Sequence, residues 1–200
     1  FDINRKKMLS SEESLKILKE TNALIEGHFI LSSGLHSPQY VQCAQLMSKP
    51  HMAEKICFSL SEIIKKEFKE IDLILSPSMG GVIIGYEIGR LLKKETIFSE
   101  RVKGEFKLRR DFSIKKQQKI LIVEDVITTG KSSLECSKLA IDKGGLIVGY
   151  ACIIDRSNGK SLIKNKIVSQ IQLNIPTYKK DNIPQSLARI KAEKPGSRNL

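Results

Sequence analysis

Residues 120–133 read ILIVEDVITTGKSS. A short apolar run of this kind is typical of a buried strand, and the residues after it are typical of a loop that opens a helix. The segment Gly130-Lys131-Ser132 matches the end of a nucleotide-binding P-loop, but that motif needs another glycine five positions before Gly130. The chain has Asp125 at that position. Because a carboxylate repels phosphate, the P-loop interpretation fails.

The stretch still suits a phosphate at its second half. Residues 128–132 supply hydroxyl and ammonium donors around a glycine, and backbone amides at a helix N-terminus bind anions. The two acids upstream, Glu124 and Asp125, suit sugar hydroxyls or a Mg²⁺ ion that itself carries phosphates. Acids followed by a phosphate cradle predict a ribose 5-phosphate site. The alternative is an ordinary strand-to-helix turn with an acidic bias.

Short apolar segments alternate with helical patterns along most of the chain. Strands are expected at 71–75, 96–98, 120–123 and 146–154, with amphipathic helices between them. Continuous apolar strands that alternate with helices are buried on both faces. The pattern therefore predicts an α/β fold with a Rossmann-like, mostly parallel sheet flanked by helices.

Three of the predicted strands end in unusual sequences. These are SPSMGG (76–81), EDVITTGKS (124–132) and DRSNGK (155–160), and ligands bind beyond the carboxyl ends of parallel strands. In the third, Arg156 offers a planar fork that matches a carboxylate. A surface salt bridge with Asp155 or another neighbour is the alternative for this arginine.

The net charge of +12 favours a polyanionic ligand of some kind. Aromatic residues make up only 6% of the chain, and no basic helix or aromatic-basic alternation is present. No apolar run approaches the ~18 residues of a membrane span. We therefore expect a small polyanionic substrate, with neither a nucleic-acid nor a membrane partner. The four cysteines lack CxxC or disulfide spacing, which predicts reduced thiols in a cytoplasmic protein.

A second feature is the run SERVKGEFKLRRD at 99–111. It carries five cations within ten residues: Arg101, Lys103, Lys107, Arg109 and Arg110. A solvated charged loop is the usual meaning of such a run. Between two parallel strands, a cationic loop that contains glycine could instead close over a pyrophosphate leaving group. We favour Arg101 and Lys103 as the diphosphate contacts.

Taken together, the motifs resemble those of type I phosphoribosyltransferases, and in particular the branch that uses orotate. VEDVITTGKS (123–132) resembles the signature for phosphoribosyl pyrophosphate (PRPP), and GHFILSSGLHSPQYVQCA (27–44) resembles the N-terminal hood. SPSMGGVIIGYEIGR (76–90) is similar to the pyrophosphate loop and its helix, and ERVKGEFKLRRDF (100–112) to the mobile catalytic loop. The resemblance covers roughly residues 10–200.

The resemblance implies roles for the matching positions. Glu124 and Asp125 would hold the ribose 2- and 3-hydroxyls. The remaining PRPP contacts on this stretch would come from Val126, Ile127, Thr128, Thr129, Gly130, Lys131 and Ser132. Thr128 would also lie near orotate, and Arg156 would face the orotate carboxylate or ring oxygens. The resemblance therefore implies transfer of a phosphoribosyl group from PRPP to orotate, which gives orotidine 5-monophosphate and pyrophosphate in pyrimidine biosynthesis.

The resemblance also implies a catalytic set of Arg101, Lys103 and Asp125. Mg²⁺ would be the cofactor, bound mainly through PRPP rather than through protein ligands. The loop at 100–111 would act in the site of a partner subunit, which implies a homodimer. We expect a single domain over residues 1–200.

Within that domain, the N-terminal helix and hood would span about 10–50, the α/β core 51–175 and the C-terminal tail 176–200. The sequence departs from the best-known pattern of the family at three places. Ser32 replaces a hood lysine, Met79-Gly80 replaces a basic residue of the pyrophosphate loop, and Glu105 is the nearest counterpart of a loop histidine. The alternatives for the loop role are therefore Lys107, Arg109 and Arg110.

Two rival functions remain open from the sequence. A purine phosphoribosyltransferase would keep the fold, but purine bases lack a carboxylate for Arg156. A PRPP-sensing regulator that binds nucleic acid would account for the charge of +12, but no appended DNA-binding segment is visible.

Overall fold

The computed structural model describes residues 7–31 and 33–195. The first elements along the chain are α1 (Ser11–Glu20), β1 (Leu24–Ile30), β2 (His36–Val41) and α2 (Cys43–Met47). Helix α1 begins at a capping box, in which the Ser10 hydroxyl accepts from the Glu13 amide at 3.1 Å and the Glu13 carboxylate accepts from the Ser10 amide at 2.8 Å. Strands β1 and β2 pair antiparallel.

The core follows as alternating strands and helices. Its strands are β3 (Leu73–Pro77), β4 (Glu95–Val102), β5 (Glu105–Lys107), β6 (Lys119–Ile127), β7 (Leu146–Asp155) and β8 (Ile167–Gln172). Its helices are α3 (Pro50–Glu67), α4 (Gly81–Leu92) and α5 (Lys131–Asp142). The sheet order is β5-β4-β3-β6-β7-β8, and each neighbouring pair except β4 with β5 is parallel. The predicted α/β fold with a mostly parallel sheet is confirmed.

The sheet is buried on both faces. Successive side chains of a strand point in opposite directions, so each strand packs into the core on both sides of the sheet. On β3, Ile74 packs into the cluster that contains α1 to α4, whereas Leu73 and Leu75 pack into the cluster that contains α5. All three side chains are fully buried. Burying an aliphatic side chain contributes about 1.5–3 kcal/mol, so this continuous apolar run stabilises both layers.

The C-terminal segment returns to the hood, which we define as β1, β2 and the short strand β9 (Ala192–Glu193). Before β9, the tail forms a 3₁₀ turn (Lys180–Asn182) and α6 (Gln185–Ala188). Strand β9 pairs parallel with β1. His28 of β1 and His36 of β2 are both buried, with His28 Nε2 2.6 Å from His36 Nδ1 and His28 Nδ1 2.9 Å from the Ile190 carbonyl oxygen.

The strands differ from the prediction in several places, and β3 spans Leu73–Pro77 rather than 71–75. Strand β6 continues past Val123 to Ile127, because Glu124, Val126 and Ile127 pair with β7. The two acids therefore lie on the strand rather than in the loop. Strand β4 is longer than the expected 96–98 and continues into a hairpin with β5. Strand β8 was not predicted.

The hairpin replaces the loop that was predicted for 100–111. Its turn consists of Lys103 and Gly104, with φ of 51° and 88°, and two central residues with positive φ are typical of a type I′ turn. Such turns match the twist of the flanking strands. The first cations of the run therefore lie on a β-hairpin that extends β4.

Along the described residues, no helix is both long and apolar enough to cross a membrane. All four cysteines are free and buried: Cys43, Cys57, Cys136 and Cys152.

Candidate active site

The end of β6 and the first turn of α5 line a pocket of ≈ 210 Å³. Its lining consists of Glu124, Asp125, Val126, Ile127, Thr128, Thr129, Gly130, Lys131, Ser132 and Ser133. Each residue of this stretch that was predicted to contact PRPP is thus in the lining. Ser133 was missed, although its helical spacing with the buried Cys136, Ser137 and Ala140 marks the inner face of α5.

The turn between β6 and α5 requires glycine. Gly130 has φ of 79°, and a Cβ atom there would lie 2.7 Å from Ser161 Oγ and 2.8 Å from Ile163 Cγ1. The adjacent segment is held by the Leu162 amide, which donates to the Thr129 carbonyl at 2.9 Å. Because the first amides of a helix have no intrahelical acceptor, this turn presents donors at the base of the pocket.

The two acids lie in a low-dielectric part of the site. Glu124 is 8% exposed, and its carboxylate accepts a long hydrogen bond from Ser133 Oγ at 3.5 Å. Burial, with the neighbouring Asp125 carboxylate as the second cause, raises the pKa of Glu124 to about 9. Burial also raises the pKa of Asp125, whose Oδ1 accepts from the Val126 amide at 2.9 Å. Glu124 therefore carries a proton at neutral pH and can both donate to and accept from a hydroxyl.

The loop after β3 meets these acids directly. A Cβ atom on Gly80 would lie 2.7 Å from Asp125 Oδ2, and one on Gly81 would lie 3.0 Å from the Val123 carbonyl oxygen. Only glycine allows this approach of the loop to β6. The sequence predicts that the two strand ends lie together but does not predict this contact, because the pairing of β3 with β6 creates it.

Arg156 follows β7, the strand on the other side of β6. Its amide donates to the Ile127 carbonyl at 2.8 Å, so its backbone is fixed to the end of β6. Its side chain is half-buried, and Nε is buried without a hydrogen-bond partner. Burial lowers the pKa of the guanidinium. The side chain does not line the pocket of residues 124–133.

Among residues 7–31 and 33–195, no contact supports the alternative that Arg156 forms a surface salt bridge. No ion pair of Arg156 occurs there, and Asp155 Oδ1 accepts from the Ser157 amide at 2.8 Å instead. A buried donor without a hydrogen-bond partner destabilises the folded protein, and a ligand that accepts from it removes this cost.

The hairpin cations have different surroundings. The Arg101 guanidinium donates to the Gly104 carbonyl at 2.7 Å, pairs with Glu135 of α5 and lies 4.1 Å from the centroid of the Phe106 ring. It does not line the pocket. Lys103, at the tip of the turn, has no ion pair among the residues the structure describes.

The alternative loop cations are paired within the hairpin region. Arg109 and Arg110 contact Glu100 at 3.1 Å and 2.7 Å, and Lys107 lies 3.8 Å from Glu105. Of the five cations, Lys103 is therefore the most available to a ligand. The predicted replacement at Ser32 lies outside the described residues.

Comparison with known proteins gives the class. The family model described as "Phosphoribosyl transferase domain" matches residues 42–186, which is more than half of the chain. The matched range contains the pocket, the hairpin and Arg156. The chain belongs to the phosphoribosyltransferase family and is an enzyme of the pentosyltransferase class.

The relatives narrow the class to one branch. The chain is 44% identical over 193 residues to the orotate phosphoribosyltransferase of Parvibaculum lavamentivorans. The aligned region covers 96% of this chain and 100% of that protein. It is 46% identical over 193 residues to the orotate phosphoribosyltransferase of Methylorubrum extorquens, covering 96% and 98%. Its fold is similar to that of Aeropyrum pernix orotate phosphoribosyltransferase, with a TM-score of 0.70, 20% identity, and 79% and 92% of the two chains covered. The branch is therefore that of the orotate phosphoribosyltransferases.

Proposed function

We propose that this protein transfers the 5-phosphoribosyl group of PRPP to orotate, which gives orotidine 5-monophosphate and pyrophosphate, and that it does so as a single catalytic domain. The observation that carries the proposal is the pocket at 124–133, where two buried acids precede a helix N-terminus. This order matches the order of hydroxyls and 5-phosphate on a ribose 5-phosphate.

PRPP is proposed to bind along this pocket. Glu124 and Asp125 accept hydrogen bonds from the ribose 2- and 3-hydroxyls, and the protonated form of Glu124 can also donate one. Residues 126–132 surround the 5-phosphate with backbone amides, with the Thr128 and Thr129 hydroxyls and with the Lys131 ammonium.

Orotate is proposed to bind against Arg156. Its buried Nε lacks a partner in the described structure, and a guanidinium recognises a carboxylate through two parallel hydrogen bonds. Thr128, which directly follows the neighbouring strand β6, is proposed to contact the base as well. A purine has no carboxylate to satisfy this arginine, so the orotate assignment explains an otherwise uncompensated group.

Mg²⁺ is proposed as the cofactor that accompanies PRPP. Among the described residues, no group of three or more His, Cys, Asp or Glu side chains is arranged to hold a metal ion. Mg²⁺ usually keeps several waters and binds substrate phosphates with few protein ligands, so the ion is proposed to enter the site mainly through PRPP. When bound, the cation neutralises negative charge on the diphosphate.

In the reaction, the bond from the ribose anomeric carbon to pyrophosphate breaks, and a bond to the orotate nitrogen forms. The electron pair of the broken bond leaves with pyrophosphate. The protein contributes by positioning the two anions and by placing cations where charge develops. We propose that Lys103 and Arg101 supply these cations from the hairpin, with Asp125 orienting the ribose.

The working form is proposed to be a homodimer. Next to the site, Met79 in the loop before α4 and Ile83 and Tyr86 on α4 are 82%, 57% and 67% exposed. Ile83 and Tyr86 are three residues apart and share one face of the helix. This apolar surface begins one residue before Gly80, the glycine packed against Asp125. A second copy of this chain is the occupant that would cover it, and it would bring a second hairpin to the edge of the pocket.

The test is an assay with Mg²⁺, PRPP and a panel of bases. We expect orotate absorbance to disappear only when PRPP is present, with pyrophosphate formed in equal amount. Adenine, guanine and hypoxanthine should give no turnover. Turnover of a purine without turnover of orotate would contradict the proposal.

A further inference from the structure

Glu135 joins the cationic hairpin to the phosphate end of the pocket. It lies on α5 one turn after Lys131, the first residue of that helix, with its carboxylate 4.0 Å from Lys131 Nζ. The same carboxylate accepts from Arg101 Nη2. Glu135 thus contacts Lys131, which lines the pocket, and Arg101, which does not.

The other contacts of Arg101 keep its guanidinium on the hairpin. Nη1 donates to the Gly104 carbonyl at 2.7 Å, and the guanidinium carbon lies 4.1 Å from the centroid of the Phe106 ring. Phe106 is 8% exposed and belongs to the core cluster beside α5. With Glu135 added, both terminal nitrogens of this guanidinium have partners within the chain.

The substrate changes this balance. PRPP carries a 5-phosphate and a diphosphate, and the proposed phosphate site includes Lys131. A phosphate there attracts Lys131 and Arg101 and repels the Glu135 carboxylate. Both contacts of Glu135 are therefore weakened by the same binding event.

We propose that Glu135 is a positioning residue that holds Arg101 against α5 in the substrate-free protein and releases it when PRPP binds, so that the hairpin can reach the diphosphate in the partner subunit's pocket. This inference rests on the proposed function, since it takes PRPP as the ligand of the pocket. The Arg101 and Glu135 side chains are 41% and 35% exposed, and solvent weakens such pairs. A weak hold suits the role, because it must break in each catalytic cycle.

Kinetics provides the first test, with Glu135→Gln as the variant and Asp142→Asn as its matched control. Asp142 pairs with Lys138 at 2.7 Å in the same i, i+4 geometry near the other end of α5. Glu135→Gln should lower the KM for PRPP about two- to five-fold with a smaller change in kcat, and Asp142→Asn should change neither. Glu135→Asp keeps the charge and should behave nearly as the parent.

The double variant separates the hold from a simple charge effect. If Glu135 acts through Arg101, Glu135→Gln should have no effect on KM in an Arg101→Ala background. An equal decrease of KM in both backgrounds would show that Glu135 acts on Lys131 or on the phosphate alone, and would overturn the inference.

A second measurement does not depend on activity. Trypsin cleaves after the hairpin cations, so the rate of cleavage within 101–110 in the absence of substrate reports how firmly the hairpin is held. We expect cleavage to be several-fold faster in Glu135→Gln than in Asp142→Asn, with equal melting temperatures. Equal cleavage rates would overturn the hold even if the enzyme is active, whereas faster cleavage in a protein without orotate turnover would contradict only the proposed function.

Discussion

At the scale of single residues, the site depends on burial of groups that are usually exposed. Glu124 and Asp125 are neighbours in sequence, and their carboxyl groups interact with each other, yet each also meets a different element. Glu124 is directed to Ser133 of α5, whereas Asp125 meets Gly80 of the loop after β3. The unusual protonation of Glu124 follows from that position.

The raised pKa of Glu124 predicts a pH-dependent stability. Below pH 4.5, the ordinary pKa of this carboxyl, it is protonated in both the folded and the unfolded chain. Between pH 4.5 and about 9 the folded chain keeps the proton and the unfolded chain loses it. The free energy of unfolding therefore falls as pH rises through this window, by up to about 1.4 kcal/mol per pH unit.

Glu124→Gln removes this loss, because glutamine does not ionise. Urea unfolding of both proteins at pH 5, 7 and 9 should show the parent losing stability relative to the variant as pH rises. Asp125, whose pKa is also raised, interacts with Glu124, so the difference measures the Glu124 carboxyl together with this interaction. Parallel pH profiles would contradict the prediction.

Arg156→Ala tests the base site. Loss of charge-assisted hydrogen bonds to a carboxylate should raise the KM for orotate roughly 10- to 100-fold, with a much smaller change in the KM for PRPP. Folding should be little affected, because the buried Nε has no partner to lose. Steady-state kinetics with each substrate varied in turn gives both constants.

The control for Arg156→Ala is Lys160→Ala, which removes an exposed cation from the same segment. It should leave both constants near those of the parent. Equal increases of the two KM values in Arg156→Ala would place Arg156 on PRPP instead of orotate.

At the scale of elements, three strand ends converge because β3, β6 and β7 are adjacent and parallel. The contact between Gly80 and Asp125 joins the first two, and the bond from the Arg156 amide to the Ile127 carbonyl joins the last two. The strands hold the site rigidly, and the loops supply its chemical groups.

Gly80→Ala tests the first of these junctions. The added methyl would lie 2.7 Å from Asp125 Oδ2, so the carboxylate or the loop must move. Because a displacement of about 1 Å can cost roughly 100-fold in rate, we expect kcat/KM for PRPP to fall between 10- and 100-fold. The melting temperature should change little, since the loop is at the surface. An unchanged kcat/KM would show that Asp125 can relax without loss of function.

At the scale of the whole molecule, the exposed apolar surface formed by Met79, Ile83 and Tyr86, in and just before α4, predicts the oligomeric state. Ile83→Asp places a charge in the proposed interface, and burying an unpaired charge is strongly unfavourable. We expect the parent to elute as a dimer in size-exclusion chromatography with light scattering, and Ile83→Asp to elute as a monomer with reduced activity.

Ile141→Asp is the matched control for this experiment. Ile141 lies on α5 and is 57% exposed, the same fraction as Ile83, but it is not part of this apolar surface. This variant should remain dimeric. A parent protein that is monomeric at all concentrations, or loss of the dimer in both variants, would contradict the assignment of the interface.

The sequence by itself determined the alternation of strands and helices, the capped first helix and the composition of the phosphate loop. These are local properties: apolar runs bury, Ser10 and Glu13 cap a helix three residues apart, and glycine permits the turn at Gly130. The sequence also placed nearly the whole lining of the pocket, because those residues are consecutive in the chain.

Only the tertiary structure decided how far β6 extends, since its last residues are strand because β7 pairs with them. It also decided which groups from distant segments meet: Gly80 with Asp125, Arg101 with Glu135, and His28 with His36. Hydrophobic periodicity carries no information about such contacts, because they depend on strand order and register. The chemical groups of the pocket therefore follow from consecutive residues of the sequence. The contacts that close the pocket and the positions of its cations depend on tertiary packing.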